Sequence, residues 1–600
     1  MTIARAEGAA ARRRRWLSGP QGLIFLALAV GVGAGLGAIA FRELIQGITE
    51  VFSGHKDYSA AGHVANSHVP GLGIWFVVLA PIVGGLLYGP LVARFAPEAR
   101  GHGVPEVMLA VAEYGGRIRM RVPVVKALAS ALTIGSGGSV GREGPIVQIG
   151  SAIGSALGQA ARVPERRLRL LVACGAAGGI AATFNAPIAG VFFALEVILG
   201  DFETNAFGLV VLSSVTAAAI ARAAFGDASF LHLPSFTLVT PEELLLYALL
   251  GAAAGVVGIV FVRVLYGAED VADAVWRGPQ WARPAVGGVL LGLLLLALPQ
   301  MYGVGYPVLS EAVQGKDAIA FVLLLLGAKI VATSLTIAIG GSGGVFAPSL
   351  FLGAMLGAAF GQTAHALLPG ITAPGGAYAL VGMGAVFAGS ARAPITAVLI
   401  VFELTGEYAI ILPLMLAIVL ATAISSRLSP DTIYTLKLRR RGIQVDKPRV
   451  ISVMRTVTVA AAMGPPPPTI SADATPAEVA QRLAATPLGG LPVVDEHGEL
   501  VGIVSAMDVE QQAMAELAPE EPAGRVAHVA PEVRADDTLE DAVRILSRTD
   551  DPGLPVLAAG ASDVVGWLTH RDILCAYQRE RDRLTPPETA DHRPAPAAAT

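Results

Sequence analysis

The chain has 600 residues, of which 54% are hydrophobic and only 15% are charged, whereas soluble globular proteins have about 25% charged residues. The formal net charge of -4 argues against a nucleic-acid partner, and two cysteines, Cys174 and Cys575, leave no basis for a disulfide framework or a cysteine-based metal site. This composition indicates a membrane protein.

The predicted elements begin with a basic N-terminal segment, residues 1–18. Arg12–Arg15 precede the apolar run Ser18–Phe41, and Arg439–Arg441 follow the last apolar segment. Because positive residues beside membrane helices stay in the cytoplasm, we predict that both termini are cytoplasmic. A secretory signal cleaved after Ala38-Ile39-Ala40 is the alternative, which the length of the run and the further membrane segments disfavour.

Apolar segments without Asp, Glu, Lys or Arg recur as far as about residue 430. Each is long enough to cross a bilayer as a helix, which takes about 20 residues. The longest has 62 residues and must cross more than once or fold back. We therefore predict an all-α polytopic membrane domain over residues 19–435. These segments include Tyr58–Ala93, Leu170–Leu195, Leu244–Val262, Ala285–Ser310, Ile330–Ala391 and Tyr408–Ser426.

The membrane domain contains an internal repeat. Gly141-Arg-Glu-Gly-Pro145 and Gly344-Val-Phe-Ala-Pro348 are each followed by glycines and a glutamine at equal offsets. In each half an Ala-Pro-Ile motif follows, with a glutamate, Glu196 or Glu403, nine residues after the proline. Small-residue helix packing accounts for glycines four residues apart, but not for the prolines and glutamates in register. The pattern indicates a duplicated multi-helix unit.

Duplicated halves with glycine- and proline-interrupted apolar segments are typical of transport proteins with a site between the repeats. A helix that begins inside the membrane presents free N–H groups and its positive dipole end, which favour an anion. The interruptions Gly135–Gly141 and Gly340–Gly344 lack the Gly-Lys-Ser/Thr ending of a nucleotide loop. Arg142 and Glu143 lie in otherwise charge-free surroundings, so they are functional candidates. A salt bridge at the membrane interface is the alternative reading of this pair.

These motifs, together with Gly101-His-Gly-Val-Pro105 and Tyr434, resemble the CLC family of chloride channels and chloride/proton antiporters. The resemblance extends approximately over residues 20–440. It implies that the membrane domain consists of two inverted repeats surrounded by membrane lipid. It further implies a homodimer in which each subunit has its own pathway for chloride or similar small anions. It also implies that Glu143 is the gate, whose carboxylate competes with the permeating ion. The other implied anion-binding positions are His102, Gly103, Arg142, Gly144, Val345, Phe346 and Tyr434.

Two positions depart from the family pattern. His102 stands where the family usually has a serine that binds the central anion. An imidazole titrates near neutral pH, so we expect either pH-sensitive transport or a neutral hydrogen-bond donor. Val197 stands where antiporters usually have an inner glutamate, and valine cannot relay a proton. We expect its neighbour Glu196 to be a solvated helix end, since Asp201 and Glu203 follow closely.

The composition changes near Pro430, and the remaining chain alternates charged and β-branched segments like a soluble α/β domain. After a linker at 436–450, residues 451–523 and 524–580 resemble a pair of CBS modules, and residues 581–600 are predicted to be a disordered tail. In CBS pairs that bind nucleotides, a hydroxyl group contacts the phosphate and an aspartate contacts the ribose. Adenine nucleotide is therefore a candidate ligand, and a dimerisation module is the alternative. The candidate nucleotide-binding positions are Ser505, Asp508, Thr569 and Asp572.

From the sequence we predict a chloride channel gated by Glu143 and regulated by CBS modules, in a prokaryotic plasma membrane. A chloride/proton antiporter is the alternative, which Val197 disfavours. Fluoride export is disfavoured by Tyr434 and the Gly-Arg-Glu-Gly-Pro motif. An enzyme or receptor with a membrane anchor is disfavoured because the sequence has no nucleophile–base pair or metal-ligand cluster. Chloride is expected as substrate, and no cofactor is predicted beyond a nucleotide at the CBS modules.

Overall fold

The computed structural model describes residues 20–443, 454 and 457–584, with gaps at 60–61, 203, 227–238, 487, 515–521, 530, 532, 550 and 559–562. The predicted N-terminal segment 1–18, the linker residues 444–450 and the tail from residue 585 lie outside the described residues. The chain divides into two compact units, Met1–Val445 and Asp446–Thr600, and each is described by itself.

The first half of the membrane unit is a series of apolar helices. Its two shortest helices, α3 and α7, have a proline in the first turn, where the missing N–H costs no hydrogen bond. Helix α7 continues as one π-helical turn, Ala194–Leu199. The helices are α1 (Pro20–Ser53), α2 (Phe76–Phe95), α3 (Val104–Ala112), α4 (Arg121–Gly135), α5 (Glu143–Ala161), α6 (Glu165–Phe184), α7 (Pro187–Phe193) and α8 (Thr204–Phe225).

The second half repeats this order of long and short helices, and one short helix follows it. Helix α13 packs on α14 in the second half as α5 packs on α6 in the first. The helices are α9 (Glu243–Val275), α10 (Arg283–Ala297), α11 (Tyr306–Val313), α12 (Ile319–Ala338), α13 (Phe346–Leu367), α14 (Gly375–Ala391), α15 (Pro394–Thr405), α16 (Ile411–Leu428) and α17 (Thr435–Arg440). The duplication predicted from the sequence is therefore a duplication of structure.

Two glutamates join the repeats reciprocally. The Glu196 carboxylate accepts hydrogen bonds from the N–H groups of Ile395 (3.1 Å) and Thr396 (2.8 Å) in the first turn of α15. The Glu403 carboxylate accepts hydrogen bonds from the N–H groups of Ile188 (2.9 Å) and Ala189 (2.6 Å) in the first turn of α7. Glu196 is therefore not the solvated helix end expected from the sequence, because it caps a helix of the other repeat.

Within the described residues, eight helices are long and apolar enough to cross a membrane. One contiguous apolar core is shared by both repeats, and residues such as Ala27, Val172, Leu352 and Leu380 in it are fully buried. The predicted all-α polytopic membrane fold with two repeats is confirmed.

The second unit contains two similar α/β modules. Each has a three-stranded sheet whose first strand is parallel and whose last strand is antiparallel to the middle one. The first module comprises β1 (Ile470–Ser471), α19 (Pro476–Ala485), β2 (Gly490–Val494), β3 (Leu500–Ser505), α20 (Ala506–Met514) and α21 (Ala523–Val526). The second comprises β4 (Val533–Arg534), α22 (Leu539–Leu546), β5 (Gly553–Leu557), β6 (Val564–Thr569) and α23 (His570–Leu584), together with the earlier helix α18 (Val459–Ala462), which packs in its core.

Candidate functional site

Three glycine-rich loops meet inside the membrane unit, directly before α3, α5 and α13. Gly141 and Gly344 exchange both backbone hydrogen bonds, at 2.8 and 2.6 Å. Gly101 donates to the carbonyl of Gly341 (3.1 Å) and accepts from the N–H of Gly343 (3.2 Å). These bonds satisfy backbone groups that would otherwise be unpaired at this depth, and they bring the first turns of three helices together.

Glycine is required where these loops touch. A Cβ on Gly144 would lie 2.0 Å from the carbonyl oxygen of His102, and one on Gly344 would lie 2.7 Å from the nitrogen of Gly144. No side chain fits at such distances, so the backbones of α3, α5 and α13 approach one another only because both positions are glycine.

A narrow buried cavity lies where the three helices begin. The residues before the helices, Gly103, Arg142 and Val345, make no side-chain cap of their own, so they do not compete with a ligand for the first N–H groups of these helices. Helix starts of this kind and three positive dipole ends favour an anion there. The cavity is lined by His102, Val104, Glu143, Gly144, Val147, Ile180, Phe193, Val345, Phe346 and Tyr434.

The Glu143 side chain is buried in this cavity, with 1% of its surface exposed. One carboxylate oxygen accepts a hydrogen bond from the Tyr306 hydroxyl, and the other accepts one from the N–H of Ala347 at 3.4 Å. Ala347 lies in the first turn of α13. The carboxylate therefore lies before the helix terminus, at the position that a bound anion would take.

Tyr306, which the sequence analysis did not identify, also lines a second cavity of about 500 Å³. Arg42, Arg142 and Arg222 also line this cavity, which we call the arginine-lined cavity. The Arg142 guanidinium donates to the carbonyl of Thr183 at 3.3 Å and lies 5.3 Å from the centre of the Tyr306 ring. Several cations around one opening raise the local concentration of anions, so this cavity suits an anion entrance.

Two buried lysines, also missing from the sequence-based predictions, hold the loops before α3 and α11. The Lys126 ammonium donates to the carbonyls of Ala99 (2.9 Å) and Gly101 (2.7 Å). The Lys329 ammonium donates to the Ser139 hydroxyl (2.9 Å) and to the carbonyl of Val304 (3.0 Å). Because both lysines are fully buried, these hydrogen bonds compensate for lost hydration and fix the loops in equivalent ways.

His102 is fully buried, and within the described part of the chain neither ring nitrogen has a hydrogen-bond partner. Its ring packs edge-on against Tyr266, with 5.9 Å between ring centres. An unpaired imidazole in a buried position is costly, which suggests that its partner is something that enters the cavity.

The remaining predicted membrane positions do not line this cavity. Gly103 precedes α3 with φ of 87°, and Arg142 lines the arginine-lined cavity instead. Glu196 caps α15. Val197 is half-buried against the apolar core in the π-helical turn, four residues after the cavity-lining Phe193. The roles assigned to these residues stay predictions.

The predicted nucleotide positions form two matching pairs. Ser505 donates to Asp508 through its hydroxyl (2.6 Å) and its N–H (2.7 Å), and Thr569 does the same to Asp572 (2.6 and 3.0 Å). His528 lies between Asp508 (3.3 Å) and the mostly buried Asp551 (2.6 Å). Each pair stabilises the start of a helix. In the described residues no group of three or more His, Cys, Asp or Glu could hold a metal ion.

Comparison with known proteins gives consistent matches. The family model "Voltage gated chloride channel" matches residues 84–426, and CBS domain models match residues 459–511 and 527–579. A putative chloride channel protein, ClcB-like, from Ralstonia nicotianae is 36% identical over 70% of this chain and 97% of its own length. The H⁺/Cl⁻ exchange transporter ClcA from Vibrio parahaemolyticus is 38% identical over 60% of this chain and 78% of its own length.

Among solved structures, a slow cyanobacterial Cl⁻/H⁺ antiporter superposes with a TM-score of 0.63 at 27% identity. The match covers 71% of this chain and 98% of the antiporter.

Proposed function

The chain belongs to the voltage-gated chloride channel family, also called CLC, and from this premise we propose that it exchanges chloride for protons across a membrane. Of the two alternatives left by the sequence, the comparisons favour the exchanger over the passive channel, since relatives and a structural neighbour are named exchangers or antiporters. Val197 remains the argument for the channel.

The position of the Glu143 carboxylate carries this proposal. It accepts a hydrogen bond from the N–H of Ala347 at the start of α13, in the cavity where three helix termini favour an anion. While charged, the carboxylate therefore competes with chloride for one position. When protonated it loses its charge and binds helix termini weakly, so chloride can take its place. A site that holds either a chloride or an ionised Glu143 links the movement of the two ions.

The remaining binding positions follow from the cavity and the family resemblance. We propose that the N–H groups of Val345 and Phe346 and the Tyr434 hydroxyl bind the central chloride, with His102 in the place of the usual serine. Gly103, Arg142 and Gly144 contribute backbone at the edges of the pathway. The N–H groups and positive dipole ends of helix starts favour an anion without a full cationic side chain, which suits reversible binding of chloride.

The assembly and the second unit are also proposals. We propose a homodimer in a prokaryotic plasma membrane with both termini cytoplasmic, so that α17 lies towards the cytoplasm and the arginine-lined cavity faces outward. We propose that the CBS modules regulate transport and bind adenine nucleotide through Ser505, Asp508, Thr569 and Asp572. The hydrogen bonds within each pair (2.6 Å between side chains) equally suit a purely structural role.

The test is a joint flux measurement on the full chain in liposomes. With a chloride gradient and no proton gradient, we expect uphill proton movement that an uncoupler abolishes. The Glu143→Gln variant cannot ionise, so it should retain chloride flux, lose proton movement and lose any pH dependence that Glu143 imposes. Chloride efflux without proton movement in the unmodified protein would instead establish the passive channel.

A further inference from the structure

An exchanger needs a route for protons between the cytoplasmic side and Glu143. Proton transfer through an apolar interior takes titratable groups or a water chain. Val197 cannot take part, and the Glu196 carboxylate is engaged by two N–H groups of α15, at 3.1 and 2.8 Å. Neither residue lines the cavity of Glu143, so a titratable relay, if a side chain supplies it, is a different group.

His102 is a titratable side chain that lies in the same cavity as Glu143 and has no other hydrogen-bond role among the described residues. It is fully buried, and both ring nitrogens lack a hydrogen-bond partner within the described residues. It lines the same narrow cavity as Glu143, and its carbonyl lies against Gly144, the next residue after Glu143. Its two nitrogens let it accept a proton on one side of the ring and release it on the other.

We propose that His102 relays protons between the cytoplasmic side and Glu143, a role that rests on the proposed exchange function. In the inward-to-outward direction, a neutral imidazole accepts a proton from a hydronium ion, giving imidazolium and water. The opposite ring nitrogen then releases a proton to the Glu143 carboxylate. This leaves a neutral imidazole and a carboxylic acid, so one proton moves and no redox partner is needed.

The side from which His102 is reached follows from its neighbours. Glu106 on α3 forms ion pairs with Lys437 of α17 (3.7 Å) and with Arg441 directly after it (2.9 Å). The start of α3 therefore lies against α17, which we place towards the cytoplasm. Tyr306 instead binds Glu143 from the arginine-lined cavity, which His102 does not line. His102 thus stands between the cytoplasmic end and the gate.

The charged groups around His102 connect its protonation with the anion. His102 is fully buried, and burial first, then the like charges of Lys437, Lys126 and Arg441, disfavour imidazolium. A chloride in the cavity supplies an opposing negative charge, so imidazolium is less disfavoured when the anion is present. A relay of this kind carries a proton mainly when chloride occupies the site. The other titratable groups facing this region are Glu106, Glu143, Tyr266, Glu269 and Tyr434.

The experiment compares full-length variants in liposomes, with chloride and proton fluxes recorded together. His102→Gln keeps an N–H donor but cannot titrate, and His102→Ser restores the residue usual in the family. Because His102 also lines the proposed chloride site, both variants are expected to change chloride flux, so the readout is the number of protons moved per chloride, which should fall at least about tenfold in both. The control is His68→Gln, at an exposed loop position, which should keep the coupling ratio unchanged.

The outcomes separate the two proposals. If the unmodified protein couples protons and either chloride-conducting His102 variant keeps the same ratio, the relay is wrong and the exchange function stands. If neither variant carries chloride, His102 serves anion passage itself and the relay is overturned as well. If the unmodified protein moves no protons, the exchange function fails, and the relay fails with it.

Discussion

At the scale of single residues, Tyr306 connects the two cavities of the membrane unit. Its hydroxyl donates to Glu143, while its ring lies beside Arg142 in the arginine-lined cavity. A hydrogen bond to a charged group contributes about 1.5–3 kcal/mol. We infer that Tyr306 stabilises the position in which Glu143 blocks the anion site.

Tyr306→Phe removes this donor and keeps the ring. Because the blocking carboxylate is then held less tightly, we expect chloride flux at neutral pH to rise by roughly tenfold, the factor that corresponds to about 1.4 kcal/mol. Flux in liposomes is the measurement. Tyr302→Phe is a matched control, since Tyr302 lines the same opening but its hydroxyl donates to the carbonyl of Gly135 at 2.7 Å. Equal flux in the unmodified and Tyr306→Phe proteins would contradict the inference.

The residues of the site were predictable to different degrees. Glu143 was marked by its charge in apolar surroundings, whereas Val345 and Phe346 were assigned through the family resemblance, and all three line the cavity. Tyr306 reaches Glu143 across 163 positions of the chain. Nothing in the local pattern marks a tyrosine after a glycine as a partner of a distant carboxylate. Such contacts depend on how the two repeats pack.

At the scale of helices, the reciprocal caps of Glu196 and Glu403 connect the two repeats. Glu403→Ala leaves the N–H groups of Ile188 and Ala189 without their acceptor, and loss of a helix cap costs about 0.5–2 kcal/mol. We expect a lower thermal unfolding midpoint in detergent, with a smaller loss for Glu403→Gln, whose amide oxygen still accepts one bond. Glu50→Ala, at an exposed position on α1, serves as control. An unchanged midpoint in Glu403→Ala would refute the stabilising role.

The sequence contained a signal for these caps. Glu196 and Glu403 each lie nine residues after the proline of equivalent motifs, and this register predicts equivalent environments. It does not predict that each glutamate contacts the other repeat, because that follows only from the inverted arrangement of the two units. The acidic neighbours of Glu196 made a solvated helix end the simpler expectation.

At the scale of the whole molecule, the membrane unit and the CBS unit have separate apolar cores. The core of the membrane unit ends at Leu438, and the cores of the CBS modules begin at Val459 and Ile470. The Ralstonia relative matches over 97% of its own length but only 70% of this chain. A protein of this kind can therefore consist almost entirely of the region that corresponds to the membrane unit.

We accordingly expect that removal of residues 446–600 leaves a folded transporter. A unit with its own core can fold alone, so chloride flux of the shortened chain should stay within about twofold of the full-length value.

If the CBS modules bind adenine nucleotide and regulate transport, millimolar ATP should change flux in the full chain and have no effect on the shortened one. The Asp572→Ala variant of the full chain should respond less, because the carboxylate that would bind ribose is missing. Flux measurements on the three proteins, with and without ATP, provide the comparison. An inactive but monodisperse shortened chain would show that transport depends on the second unit, and an ATP response that persists after removal would assign the nucleotide effect to the membrane unit.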